Sequence, residues 1–219
     1  MTARADAGSL LASHRRSATL PLCLGVSVTA LLVIASALLP QGLTLEGWSA
    51  AARRTARLSF LIFLVVYLAR PWVTLAPGSI SRWCLRQRRS LGLGFATAHG
   101  FHFVMLAAVG VAKHAWPALP TLLFGGFGYV VVVAMAATSS DAAVRALGAS
   151  RWKRLHRFGI HYLWLIFTLS YLTRATSNPR FFGPLLLLAL GAALLRVAAF
   201  WVSRGPRPIA AASGRMKAS

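Results

Sequence analysis

The chain has 219 residues, of which 57% are hydrophobic and 12% are charged, and its mean hydropathy is +0.65. This composition excludes an ordinary soluble domain, in which about 25% of residues are charged. The net charge of +21 would suit a nucleic-acid-binding protein, but the basic residues form short clusters between apolar runs, as in membrane proteins. We therefore predict a membrane protein that binds no nucleic acid and presents its basic clusters to anionic lipid or acidic partners.

Six apolar runs follow one another along the chain, and an apolar run of roughly 20 residues can cross a bilayer as a helix. They cover residues 20–39, 57–76, 91–112, 119–138, 158–174 and 184–203. The first run is too long for the apolar core of a signal peptide, so we predict that it is retained. The fifth is the least apolar, and we expect its helix to begin earlier, within the basic segment that ends at Arg157. The predicted fold class is all-α, a six-helix transmembrane bundle with tails at 1–19 and 204–219.

Basic residues are distributed unequally between the two sides of this bundle. Sixteen lie in the two tails and in the loops 77–90 and 139–157, and six lie on the other side. The positive-inside rule therefore places both termini in the cytoplasm, and we predict a multi-pass protein of a bacterial inner (plasma) membrane. No segment between the spans is long enough for a nucleotide-binding or flavin-binding domain.

The loop 139–157 contains the pattern of a short helix. Ser139, Ser140 and Asp141 are residue types that cap a helix at its start, and Gly148 is of the type that ends one. Trp152 follows, and we expect it at the membrane interface, where aromatic residues collect.

The segment AHGFHF (98–103) places two histidines in the third predicted span, and two more lie around the start of the fifth. These four are His99, His102, His156 and His161. Ionisable residues within spans are rare and indicate a functional site. The alternative is a neutral imidazole that hydrogen-bonds across a helix interface. Because the two spans run in the same direction, we favour a metal site between them. His14 and His114 lie outside the spans, and we expect them to be solvated.

Haem is the metal centre that this set of ligands suits. The acids Asp6, Glu46 and Asp141 lie outside the spans, and the two cysteines lack the spacing of a metal site. A haem needs one or two axial ligands, which one imidazole from each of two helices can provide. The paired histidines differ too little in depth for two stacked haems, so we predict one. Basic residues near the cytoplasmic ends could pair with its propionates, and the candidates are Arg157, Arg196 and Arg70; Arg70 and Arg196 alternatively extend to the headgroups.

Helical geometry ranks the four histidines. His99 and His102 lie about 60° apart around their helix, so both can face the bundle interior. His156 and His161 lie about 140° apart and cannot both face one iron, and His161 is the deeper of the two. Depth favours His99 as its partner, with Gly92 and Gly110 leaving room beside it for a flat ring. His156 would then bond a propionate or a loop carbonyl.

Two motifs carry a family resemblance. RRSLGLGFATAHGFHF (88–103) has a basic pair, then Leu-Gly-Leu, then a histidine that falls on His102. LGASRWKRLH (147–156) has the pattern Leu-Gly-x-x-x-Trp-x-x-Leu-His, which ends on His156. Together they resemble the ferric-reductase-like transmembrane domain family, and within it the haem-binding membrane subunit of the periplasmic methionine-sulfoxide reductase system.

This resemblance implies one b-type haem between the third and fifth spans, and it favours His102 and His156 as the ligands. Leu169 departs from the pattern, because that subunit has a further histidine there. His161 could take its place. In the third span we give the resemblance more weight than depth. In the fifth span we follow the helical geometry instead. The predicted ligands are therefore His102 and His161, with His99 and His156 as alternatives.

The predicted function is electron transfer across the membrane. A cytoplasmic flavin reductase or flavoprotein would reduce the haem, which would pass the electron to an outer redox partner. FMN or FAD would be held by this chain or by its partner, and the chain shows no catalytic acid, base or nucleophile. The alternative is a non-redox small transporter or membrane assembly subunit with structural or proton-relay histidines.

Overall fold

The computed structural model describes residues 3–204, with side chains from residue 19 onward. Eight helices make up this part of the chain. They are α1 (Ala3–Gln41), α2 (Leu45–Leu75), α3 (Ser79–Arg86), α4 (Arg88–Lys113), α5 (Leu119–Ala137), α6 (Asp141–Leu147), α7 (Ala149–Ala175) and α8 (Pro179–Arg204). The described residues contain no strand, so the predicted all-α class is confirmed. The predicted tail 204–219 lies almost wholly outside the described residues.

Five helices are long and apolar enough to cross a membrane, which fits a multi-pass membrane protein. They are α2, α4, α5, α8 and the part of α1 from Thr19 onward. The fifth predicted span falls in α7, which has 27 residues but begins with the basic segment and is not among the five. As expected, α7 begins before residue 158, at Ala149. The count of six spans and the orientation stay predictions.

Helix α2 lies at the centre of the bundle, where it packs against α1, α4 and α8, while α7 packs against α8 and α5. The core between these helices is aromatic. Its large buried rings are Phe60, Phe63, Tyr67, Phe95, Phe167 and Tyr171. Phe60 meets Tyr171 and Tyr67 meets Trp164, so α2 and α7 run in opposite directions. At Gly159 of α7 a Cβ would overlap the Met135 sulfur, so the glycine permits the close approach of α5.

We call the end of the bundle where α2 and α8 finish and α4 and α7 begin the basic end. The short helices α3 and α6 both lie there. Ser140 caps α6 by accepting the Ala143 amide hydrogen at 3.0 Å, and Gly148, with a φ of 77°, ends it, as predicted. The Trp152 indole donates to the Thr138 carbonyl at 2.9 Å, which ties the start of α7 to the end of α5.

Candidate functional site

His99 lies in a buried aromatic cluster shared by three helices. Its ring centre is 4.5 Å from that of Tyr129 on α5, 5.3 Å from Phe95 on α4 and 5.9 Å from Phe167 on α7. Both His99 Nδ1 and the Tyr129 hydroxyl are buried without a hydrogen-bond partner. An unsatisfied buried polar group destabilises a protein by about 1–3 kcal/mol. Such atoms are therefore available to a ligand.

His102 lies beside His99, with ring centres 5.6 Å apart, and is oriented by Thr55 of α2. Its Nδ1 is 3.3 Å from the Thr55 hydroxyl oxygen, and that hydroxyl donates to the Ala51 carbonyl at 2.8 Å. Because the hydroxyl hydrogen is engaged, Nδ1–H of His102 donates to Thr55. Nε2 then carries the free lone pair that a metal needs, in the pattern typical of ligating histidines. We call His99, His102, Phe95, Tyr129 and Phe167 the α4 cluster.

At the basic end, His156 is hydrogen-bonded through Nε2, whereas His102 is hydrogen-bonded through Nδ1. Nε2 of His156 lies 3.2 Å from the Thr138 hydroxyl oxygen, and that hydroxyl donates to the Ala134 carbonyl at 2.6 Å. Nε2–H therefore donates to Thr138, and the ring packs 4.3 Å from Trp152. The nitrogen that would most readily ligate a metal is thus occupied by a contact between α5 and α7.

His161 is the least engaged of the four histidines. Its ring meets the edge of Tyr67 with centres 6.0 Å apart, and no described residue hydrogen-bonds it. Arg157 and Arg196 are the charged groups that act on it. Its ring nitrogens are therefore free, and basic side chains lie near it, as the predicted pairing with propionates requires.

Arg196 occupies a position set by a proline. Pro71 lies inside α2 and has no amide hydrogen, so the Tyr67 carbonyl lacks its helical donor. Arg196 of α8 donates to that carbonyl at 2.8 Å, and its guanidinium lies 4.4 Å from the centre of the Tyr67 ring. Part of the guanidinium is thereby committed to joining α8 to α2.

The histidines of α4 and α7 lie at different depths. His102 contacts Thr55 and His161 contacts Tyr67. Those two residues are 12 positions apart on α2, which corresponds to about 18 Å of helical rise. The structure brings His99 and His102 together and leaves His156 and His161 nearer the basic end. The ligand pair His102 and His161 stays a prediction.

At the level of His99, α7 presents Phe167. The residue that departs from the family pattern, Leu169, is 46% exposed two positions farther along. Of the two glycines expected to leave room for a flat ring, Gly92 has no neighbouring atom within 4 Å of the place that a Cβ would occupy. The expectation for Gly110 is wrong, because the Trp116 ring lies 3.1 Å from the place that a Cβ would occupy there and fills that space.

Sequence reasoning missed Thr55 and Tyr129. Thr55 precedes the predicted second span, although it is fully buried in α2. The signal was available: Thr55 and Ser59 are four residues apart and form a polar pair on one face of an apolar helix. Tyr129 stands among apolar and glycine residues, and only the fold shows that it faces His99.

The other donor groups whose side chains are described form no alternative metal centre. Among the residues whose side chains are described, no group of three or more His, Cys, Asp or Glu could hold a metal ion. Burial raises the pKa of the Cys84 thiol in α3, which disfavours a thiolate ligand there. A haem, which needs only one or two imidazoles, fits these donors better than a zinc ion does.

Comparison with known proteins finds several relatives that are described as the haem-binding subunit MsrQ of protein-methionine-sulfoxide reductase. The protein of Ralstonia nicotianae is 31% identical over 143 residues, which are 60% of this chain and 63% of the relative. That of Yersinia pseudotuberculosis is 34% identical over 131 residues, 53% of this chain and 63% of the relative. That of Azospira oryzae is 34% identical over 99 residues, 38% of this chain and 42% of the relative.

No family model and no solved structure matches the chain. The chain spans less than two thirds of the length of the relatives it matches. Within those matched segments, this chain is similar to the haem-binding subunits of protein-methionine-sulfoxide reductases, which confirms the resemblance found in its motifs.

Proposed function

We propose that this chain binds one b-type haem and carries electrons across a bacterial inner membrane, as a subunit of a system like protein-methionine-sulfoxide reductase. The observation that carries the proposal is the α4 cluster. There, Thr55 holds His102 Nδ1 at 3.3 Å, and the neighbouring His99 Nδ1 is buried without a partner. The names of the similar proteins support haem as the group that this cluster serves.

His102 is the α4 ligand in this proposal, with His99 as the alternative. His161 is the α7 ligand, because its ring is unengaged while Thr138 holds Nε2 of the alternative, His156. In the structure His161 lies about 18 Å of helical rise from His102, which is too far for both to bind one iron, so His161 would reach the iron held by His102 only if α7 shifted along its axis when haem binds. His102 is therefore the ligand on which haem retention depends, and we expect His161 to affect iron coordination more than haem retention.

A bound b-type haem would supply a one-electron couple between ferric and ferrous iron. The protein's part is to bind, orient and shield it. Thr55 fixes the His102 ring, and the aromatic side chains of the α4 cluster keep water from the site. Arg157 and the remaining donors of Arg196 would stabilise the propionates.

The basic end faces the cytoplasm in this proposal, so both termini are cytoplasmic. Its positive charge would attract an acidic flavin reductase or flavoprotein, with FMN or FAD held by that partner or by this chain. The electron would leave toward an outer redox partner. A subunit of this kind needs no catalytic acid or base of its own.

The test is the spectrum of protein purified from membranes with haem supply intact. We expect b-type bands that sharpen on dithionite reduction, with about one haem per chain by pyridine haemochrome assay. A colourless, folded preparation would instead favour the non-redox alternative. The Thr55–His102 and Thr138–His156 hydrogen bonds would then be structural contacts between helices.

A further inference from the structure

The basic end contains arginines for which the residues with described side chains provide no neutralising acid. Arg88 at the start of α4 lies close enough to Arg70 of α2 and Arg196 of α8 for their charges to interact. Among residues whose side chains are described, the acids are Glu46 and Asp141. Glu46 lies at the opposite end of α2, and Asp141 pairs with Arg89 at 2.9 Å. Like charges held together without a counter-ion indicate a site for an anion.

A cleft of about 610 Å³ opens beside Arg70 and Arg88. It is lined by Arg70, Val73, Thr74, Leu85, Arg86, Arg88, Arg89 and Trp152. The first turn of α4 also lies there, and Gln87 provides no side-chain cap for it. The amide hydrogens of an uncapped first turn add partial positive charge. The cleft thus combines arginine side chains with a helix start, which suits a phosphate group.

A second, smaller cleft of about 320 Å³ adjoins the first. Its lining residues are Ser79, Ile80, Trp83 and Arg86, and Arg86 is shared with the first cleft. Ile80 and Trp83 are 64% and 46% exposed on α3, a helix that also carries Arg82 and Arg86. A short helix that carries both apolar and basic residues is of the kind that lies along a membrane interface. An apolar surface therefore begins where the arginine-lined cleft ends.

We propose that the arginine-lined cleft binds the phosphate of an anionic phospholipid such as phosphatidylglycerol, with its acyl chains along Ile80 and Trp83. The arginines recognise the negative charge, and the adjoining apolar groove favours a lipid over a free phosphate. Bound in this way, the lipid neutralises the repulsion between Arg70 and Arg88 and fastens the ends of α2, α3 and α4 together. The site is independent of the haem.

The test compares phosphatidylglycerol with phosphatidylcholine by native mass spectrometry of the full chain released from detergent. We expect the wild type to retain phosphatidylglycerol preferentially, and the double substitution Arg86→Gln/Arg88→Gln to lower that preference about 30-fold. The control Arg53→Gln/Arg180→Gln removes two exposed arginines from the other end and should leave the preference unchanged. Arg86→Lys/Arg88→Lys keeps both charges and should keep most of it.

Three results would overturn the proposal. The first is retention of the preference by the Arg86→Gln/Arg88→Gln protein, and the second is an equal loss in the control protein. The third is displacement of the lipid from the wild type by millimolar inorganic phosphate or FMN, which would assign the cleft to a soluble phosphate. Haem content is measured on each preparation, because loss of lipid preference with full haem content separates this site from the haem site.

Discussion

The two groups of histidines lie in opposite surroundings. His99 is enclosed by aromatic rings in the body of the bundle and has a free buried nitrogen, and His102 lies beside it and is oriented by Thr55. His156 and His161 lie toward the basic end, among arginines and next to the loop helices. The surroundings therefore favour metal ligation by the α4 histidines, whereas at the basic end His156 forms a helix contact and His161 keeps unengaged ring nitrogens beside arginines. Burial and the hydrogen-bonded nitrogen make the difference.

The largest effect that this comparison predicts is at His102. His102→Ala should lose most of the bound haem, since it removes the imidazole whose Nε2 is free. His156→Ala is the control from the basic end and should keep nearly all of it. Haem per chain from the pyridine haemochrome assay measures both. Equal haem content in the two proteins would remove the distinction between the regions.

A matched pair of threonines gives the next largest effect. Thr55→Val removes the partner of His102 Nδ1 and should weaken haem binding by about 10–100-fold, the usual effect of losing such an orienting group. Thr138→Val removes the corresponding contact of His156 and should leave haem affinity unchanged. Haem titration of the apoproteins measures the affinities. If Thr138→Val weakened binding as much as Thr55→Val, the ligand would lie at the basic end.

Arg196 and Pro71 allow a double-mutant cycle on stability. Arg196→Gln removes the donor to the Tyr67 carbonyl and should lower the free energy of unfolding by about 1–3 kcal/mol. Pro71→Ala restores a backbone amide hydrogen that can bond the same carbonyl. In that background Arg196→Gln should therefore be much less destabilising. Thermal denaturation of the haem-free proteins in detergent gives the four values. Additive effects would show that the proline does not determine the role of Arg196.

The smallest effect is expected at His161. His161→Ala should retain most of the haem, while the iron changes from six-coordinate to five-coordinate if this residue is the second ligand. The oxidised-state absorption and electron paramagnetic resonance spectra report that change. An unaltered spin state would exclude His161 as a ligand and leave α4 as the source of the protein ligand.

Much of the helical architecture was predictable, because an apolar run of membrane length has few alternatives to a helix. The caps of α6 were predictable because they depend on local properties: the Ser140 side chain accepts a nearby amide hydrogen, and Gly148 adopts a positive φ. The relative depth of His102 and His161 was not predictable. A count from the last basic residue assumes that both helices begin at the same level, but His99, 11 residues after the start of α4, meets Phe167, 18 residues after the start of α7. Helix α7 therefore begins farther out than α4, which the sequence does not show.

The environment of the α4 cluster was predictable only in part. The histidines themselves stood out in an apolar run, and their angular separation allowed both to face inward. Tyr129 and Phe167 come from helices whose rotation about their own axes the sequence does not specify. Thr55 was missed because α2 begins at Leu45, well before the apolar run that marked it.

Chemical rescue of His102→Gly tests the central claim most directly. The α4 cluster leaves the imidazole site intact when the side chain is removed, so added imidazole should restore haem binding and the b-type bands of the reduced protein. His156→Gly, treated in the same way, should show no dependence on imidazole. Full haem content in His102→Gly without imidazole, or imidazole-dependent binding in His156→Gly alone, would contradict the assignment of the ligand to α4.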